Sequence, residues 1–159
     1  MSVREATVQD AAAVTLIWNH YIRETSVTFN AQEKPVDEVA DLIVTRPAFF
    51  VALDQGRVTG FATYGQFRSG VGSARTMEHT IQLAPGASGR GLGRALMTLV
   101  EDHARAGGAH SMFAGVSGEN PEGRAFHARL GYAETAVLPH VGWKFGRWMD
   151  LVLMQKFLT

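Results

Sequence analysis

Apolar residues recur along this chain with two periods, and the points where the period changes mark its elements. Val3 to Thr7 reads as a short strand. Val14, Ile17, Trp18 and Tyr21 then fall three or four residues apart. That spacing predicts a helix capped by Asp10 and running to about Glu24, with these four side chains packed toward a core. Thr25 to Pro35 is a polar loop containing Phe29, and a loop phenylalanine either closes a pocket, the preferred reading, or staples the loop. Val36 to Thr45 reads as a second helix stopped by Pro47. Ala48 to Leu53 and Arg57 to Tyr64 are strands joined by Asp54-Gln55-Gly56, a hairpin turn signal. Gln66 to Arg75 is a loop rich in glycine and serine, and Thr76 to Leu83 is the fourth strand. Leu92 to Ala106 is a third helix with Leu92, Leu96, Leu99, Val100 and His103 on one face; Gly107-Gly108 ends it. Ser111 to Val116 is a strand. Asn120-Pro121 opens a fourth helix that reaches Leu130 and stops at Gly131. Tyr132 to Leu138 and Trp148 to Phe157 are the last strands. This order predicts an α/β fold of about seven strands and four helices, in one domain over residues 1–159.

The stretch from Leu83 to Leu96 carries the first chemical signal. A strand ends at Leu83, Gly86, Gly89, Gly91 and Gly93 follow, and a helix opens near Gly91. The first N–H groups of a helix lack partners within it and, with the helix dipole, form an anion site. Arg90 and Arg94 add charge one turn apart, so the stretch reads as a phosphate or pyrophosphate cradle. The plainer alternative is a tight turn with solvated arginines. A P-loop is excluded, because no Gly-Lys-Ser/Thr run exists. A dinucleotide fingerprint starting at Gly91 would need glycine where Leu96 stands, and one starting at Gly89 meets Arg94.

Glu78 is the second signal, since glutamate is depleted inside strands. Alternation sends Glu78, Thr80 and Gln82 to one face and His79, Ile81 and Leu83 to the other. A carboxylate there is a solvent-facing residue, a structural ion pair or a general base. With a cradle directly after it, the base is preferred.

Composition narrows the classes. Apolar residues make up 46% and charged residues 19%, as in globular domains. Fifteen basic residues balance fifteen acidic ones, which argues against a nucleic-acid or acidic-membrane partner held by bulk charge. There is no cysteine, so neither a disulfide nor an acyl-cysteine intermediate can form; a cytoplasmic location is compatible with this. No signal peptide and no bilayer-length apolar run is expected. The histidines at 20, 79, 103, 110, 127 and 140 form no metal-ligand spacing, so no metal is expected.

Ser88, Gly91 and Gly93 match a loop pattern of Arg or Gln, two residues, Gly, one residue, then Gly or Ala. This resembles the coenzyme A pyrophosphate loop of the GNAT superfamily of N-acetyltransferases. Four further stretches resemble its phosphinothricin and methionine sulfone/sulfoximine acetyltransferases. They are Glu78-His79-Thr80-Ile81-Gln82-Leu83, Phe67-Arg68, Asn120 with His127-Ala128-Arg129-Leu130-Gly131-Tyr132, and Val141-Gly142-Trp143-Lys144-Phe145-Gly146-Arg147-Trp148. The resemblance spans nearly the whole chain and implies a mixed central sheet flanked by helices.

It also implies roles. Glu78 would be the general base and His127 would protonate the departing thiolate. Arg68, Ser69, Gly70, Glu78, His79 and Thr80 would line the amino-acid site. Ile81, Gln82 and Leu83 would offer backbone groups to the acetyl and pantetheine end of acetyl-CoA. Gly89, Arg90, Gly91, Leu92, Gly93 and Arg94 would hold its pyrophosphate, and Asn120 its pantetheine arm. Four positions depart from the relatives: Ser88 replaces Arg or Gln, Gln82 replaces tyrosine, Gly123 replaces serine, and Arg75 stands one place after an expected arginine. The implied function is acetyl transfer from acetyl-CoA to the α-amino group of a small amino acid. A protein-lysine acetyltransferase and a CoA-binding module without turnover are the alternatives. A homodimer is implied too, with Trp143, Phe145, Trp148 and Met149 near its interface.

Overall fold

The computed structural model describes residues 1–159, in which seven strands form one sheet. The strands are β1 (Ser2–Glu5), β2 (Ala48–Asp54), β3 (Arg57–Gln66), β4 (Thr76–Leu83), β5 (Ser111–Ser117), β6 (Ala133–Lys144) and β7 (Arg147–Phe157). Four helices accompany them: α1 (Ala11–Glu24), α2 (Val36–Thr45), α3 (Leu92–Ala106) and α4 (Pro121–Arg129). The sheet order is β1-β2-β3-β4-β5-β7-β6. Every neighbouring pair is antiparallel except β4 and β5, which run parallel and are joined through α3. A parallel pair requires such a crossover, because a tight turn can only reverse the chain.

Strand alternation divides the core in two. Phe49, Val51 and Phe61 face α1 and α2, where Val14, Ile17, Trp18, Ile22 and Val39 are buried. Trp18 packs on Phe61 with ring centres 4.7 Å apart. The alternate residues Phe50, Ala52, Ala62 and Tyr64 face α3, meeting Leu92, Leu96, Met97, Val100 and Ala104. Each large apolar side chain removed from water contributes roughly 1.5–3 kcal/mol. α1 and α2 thus cover the β2–β3 half of one face, and α3 covers the other face.

Three details differ from the sequence expectation. The Asp10 side chain does not cap α1. It accepts from the Thr7 N–H (2.8 Å) and from both Arg4 amino groups (2.8 and 3.0 Å), closing the turn before the helix. His103 lies exposed rather than on the packed face, and one ring nitrogen meets the Tyr64 hydroxyl at 2.7 Å. β6 extends to Lys144, well past Leu138. Its register slips between Leu138 and Gly142, so Pro139 and Gly142 break the alternation without ending the strand. Proline is tolerated there because β6 is an edge strand.

Candidate active site

β4 and β5 pair only from Thr76↔Ser111 to His79↔Ala114. Beyond that point they part, while β4 stays paired with β3 as far as Leu83↔Gly60. Thr80 to Leu83 therefore present one backbone edge without a strand partner, and buried peptide groups require one. The opening lies at the carboxyl ends of the two parallel strands, where open α/β sheets bind ligands. Two cavities, of about 340 and 700 Å³, meet along it and share Val27, Ile81, Gln82, Asn120 and His127 as walls.

The larger cavity runs to the start of α3. Gly89 and Gly91 have φ near +81°, and no atom lies within 4 Å of where a Cβ would stand on either. Gly91 is the N-cap of α3, so the first helical N–H groups open toward this space. Ser88 and Arg94 line it too. Three residues expected beside them have other tasks. Arg90 turns away to pair with Asp54 at 2.8 Å and lines neither cavity. The Leu92 side chain is buried in the core. Gly93 is on the wall, but a Cβ there would fall 2.9 Å from the Phe126 ring, so its missing side chain seats α4 against α3. Asn120 caps α4, its Oδ1 accepting from the Gly123 N–H at 3.0 Å. Its Nδ2 is left as a donor on the wall shared by both cavities. A Cβ on residue 123 would collide with that amide, which accounts for glycine there.

Glu78 lines the smaller cavity and is half-buried. Glycines stand beside it on both neighbouring strands. A Cβ on Gly115 would be 2.9 Å from Glu78 Oε2, and a Cβ on Gly65 would be 2.7 Å from Arg46 Nη1. Burial raises the Glu78 pKa above the usual carboxylate range, and the Arg46 charge partly offsets this. A raised carboxylate is a better proton acceptor. Thr80 and Gln82 share its wall, as alternation predicted. Trp18 from α1 and Val27, Thr28, Asn30 and Lys34 from the following loop close the opposite side.

That loop is held by the β6–β7 hairpin. Lys144 is buried, and its Nζ donates to the Thr25 and Thr28 carbonyls at 2.6 and 2.8 Å. Phe29 lines neither cavity; its ring packs over Gly142, where a side chain would clash, and so it staples the loop. Tyr21 proves more than a packing residue. Its hydroxyl donates to the Leu83 carbonyl at 2.5 Å and ties α1 to the end of β4.

His79 and His127 stack with ring centres 5.0 Å apart. His127 Nδ1 lies 2.7 Å from the Gly123 carbonyl, which can only accept, so Nδ1 carries the proton. Neutral His127 then accepts at Nε2 from His79 Nε2–H, at 3.2 Å. Burial lowers the His127 pKa and pushes that of His79 down to about 3. Both His127 nitrogens are engaged, so it is a fixed wall of the cleft rather than a ready proton donor. The His79 side chain stacks on His127, on the sheet face opposite Glu78, and the residue lines the smaller cavity together with Glu78 and Thr80. Arg68, Ser69 and Gly70 are exposed and line neither cavity. Gln66 Nε2 instead donates to the carbonyls of Arg68 and Gly70 at 2.6 and 2.7 Å.

Residues 14–132 match the family model described as Acetyltransferase (GNAT) family. The chain belongs to that family. It is 38% identical to an L-amino acid N-acyltransferase, MnaT, of Escherichia coli, over 98% of this chain and 92% of that protein. It is equally identical to an L-methionine sulfoximine/L-methionine sulfone acetyltransferase of Salmonella typhimurium, over 98% and 93%. An acetyltransferase structure from Salmonella typhimurium, solved with acetyl-CoA, superposes with a TM-score of 0.95 at 37% identity, covering 100% of this chain and 94% of that one. The protein is an acetyl-CoA-dependent N-acetyltransferase. Its residues fit that co-substrate: the bare Gly89–Gly91 backbone and the α3 N-terminus suit a diphosphate, and the unpaired β4 edge suits an amide-bearing arm.

Proposed function

We propose that this enzyme acetylates the α-amino group of small amino acids carrying an oxygen-bearing side-chain group, such as methionine sulfone, methionine sulfoximine or phosphinothricin. The observation that carries the reading is Glu78: a half-buried carboxylate of raised pKa, beside the split in the sheet and between glycines that leave it room. The names of the relatives support the substrate class.

Bound acetyl-CoA supplies a thioester carbonyl. Glu78, directly or through one water, accepts the proton that the acceptor amine must lose; a free α-amine titrates near pH 8, so a modest base suffices. The β4 edge beyond His79 aligns the pantetheine arm, and the Asn120 amide adds a donor. The helix start at Gly91, with Arg94, holds the diphosphate. No side chain needs to protonate the leaving thiolate, because thiols titrate near pH 8.5. Thr80 and Asn30 provide polar groups for side-chain oxygens, which plain methionine lacks.

A homodimer in the cytoplasm completes the proposal. Trp143, Phe145 and Trp148 are each more than half exposed on the β6–β7 hairpin, an apolar concentration suited to burial against a second copy. Met149 is inside the protomer and plays no part. Sedimentation at micromolar concentration should give twice the 17.3 kDa chain mass; a monomer would remove the dimer from the account.

The acceptor class is tested by competition. Acetyl-CoA is supplied with methionine sulfone and a lysine-containing peptide in equal amounts, and the products are read by mass spectrometry. Acetyl on the amino acid's α-nitrogen is expected. Acetyl only on the peptide lysine would replace this reading with the protein-lysine one.

A further inference from the structure

The hydrogen-bond parity of β4 decides which of its backbone groups face the split. The Phe67 N–H donates to the Thr76 carbonyl at 2.9 Å, and the Ala84 N–H donates to the Thr59 carbonyl at 2.7 Å, one bond at each end of the β3–β4 ladder. The register between them is unbroken. In an antiparallel pair, hydrogen-bonded residues alternate with non-bonded ones. Glu78, Thr80, Gln82 and Ala84 therefore bond toward β3. Ile81 and Leu83 turn their N–H and C=O groups the other way, to the side where β5 has parted. Both residues line the larger cavity. The Leu83 carbonyl finds its partner outside the sheet: the Tyr21 hydroxyl donates to it at 2.5 Å.

The peptide between Leu83 and Ala84 is thus held at both ends, its carbonyl by α1 and its N–H by β3. It is the last fixed point of β4 before Pro85 and Gly86 lead into the bare glycine loop. Tyr21 stands in the last turn of α1, is half-buried, and lines the larger cavity but not the smaller. Burial raises its pKa, so the hydroxyl keeps its proton and remains a donor. Up to His79 a strand on either side fixes the orientation of each β4 peptide, and beyond it β5 no longer does. We propose that Tyr21 is a positioning residue for the pantetheine arm of acetyl-CoA. Its hydroxyl takes the place of the absent β5 neighbour at Leu83 and keeps the Ile81 and Leu83 backbone groups turned to the cavity. The diphosphate cradle at Gly89, Gly91 and the start of α3 does not depend on it.

The test compares wild type with Tyr21→Phe, which removes the hydroxyl and keeps the ring, and Tyr21→Leu, which removes both. Two ligands are titrated by calorimetry: CoA, and adenosine 3′-phosphate 5′-diphosphate, the same nucleotide cut before the arm. Tyr21→Phe should weaken CoA by about three- to tenfold, the effect of one lost hydrogen bond, and leave the affinity for the armless nucleotide unaltered. Tyr21→Leu should lose about as much as Tyr21→Phe. In turnover, KM for acetyl-CoA should rise by the same factor, while kcat and the acceptor KM change by less than about twofold. Equal losses for both ligands would mark a merely structural role and overturn the assignment. Unchanged CoA affinity in Tyr21→Phe would overturn it too, and a loss confined to Tyr21→Leu would give the role to the ring instead of the hydroxyl.

Discussion

The two cavities that meet at the split in the sheet are assembled in different ways. The larger draws most of its lining from two local stretches, residues 81–94 and residues 120–130 along α4. The smaller gathers α1, the loop after it, β4, β5 and α4, with Arg46 brought alongside from the end of α2. One is shaped by backbone conformation: positive φ at Gly89 and Gly91, an open helix start, an unzipped strand edge. The other works with side chains that meet only in three dimensions. The first depends on a few contiguous residues, whereas the second depends on struts that hold distant pieces in place. Lys144 and Phe29 are such struts. The β6–β7 hairpin therefore reaches the acceptor side without lining it.

Glu78 lines only the smaller cavity but is the proposed base, so its loss should be the most costly. Glu78→Gln should lower kcat by about 10²–10⁴-fold with little change in either KM, as expected for removal of a general base. Full kcat across the pH range would reassign the base. In wild type, kcat/KM should fall on the acid side of a pKa above the ordinary carboxylate value, and Arg46→Gln should move that limb to higher pH.

Gly91→Val separates the cavities from the other side. A β-branched residue at φ +81° is strained and places atoms where the diphosphate approaches. Calorimetry should show acetyl-CoA affinity falling by at least about tenfold, or about 1.4 kcal/mol, while acceptor KM at saturating acetyl-CoA holds. Unchanged affinity in a folded variant would reject the cradle.

Lys144→Met attacks mainly the acceptor side. Two carbonyls lose a charged donor, each such bond being worth roughly 1.5–3 kcal/mol. Acceptor KM should rise by about three- to tenfold and the melting temperature should drop, with a smaller change in acetyl-CoA affinity through Val27. If acetyl-CoA affinity falls as far as acceptor affinity, the two regions are not separable.

The smallest effect concerns stability in acid. His79 in the fold titrates near 3, against 6.5 for a free histidine, so the unfolded chain binds its proton more readily. The stability linked to His79 is complete above pH 6.5 and is lost as pH falls toward 3, at up to about 1.4 kcal/mol per unit. His79→Gln should flatten the fall in melting temperature between about pH 7 and pH 5. An unchanged slope would mean that His79 does not stay neutral.

The same contrast explains how far the sequence could be read. α2, β4 and α3 were legible to the residue, since Pro47, the glycine-rich loop and Gly107-Gly108 bound them and their apolar periods are regular. The glycine-rich turn into α3 was legible because its pattern is local. Arg90 was misplaced because spacing puts it beside Arg94, and nothing in the spacing reveals Asp54 on a distant hairpin. Arg46 was invisible, as a lone arginine before Pro47 has no local pattern. Its one trace was Gly65 inside a strand, since an isolated strand glycine marks a close approach. The histidine pair needed the fold as well, because its tautomers follow from the Gly123 carbonyl.

Acceptor-dependent thiol release from acetyl-CoA tests the central claim most directly. Wild-type protein should release little thiol alone and should release it steadily with methionine sulfone. The kcat/KM for the sulfone should exceed that for methionine by at least about tenfold, because polar groups left unpaired penalise the analogue that lacks the oxygens. Equal rates for methionine and its sulfone, or no release with any amino acid by protein that binds acetyl-CoA, would contradict it.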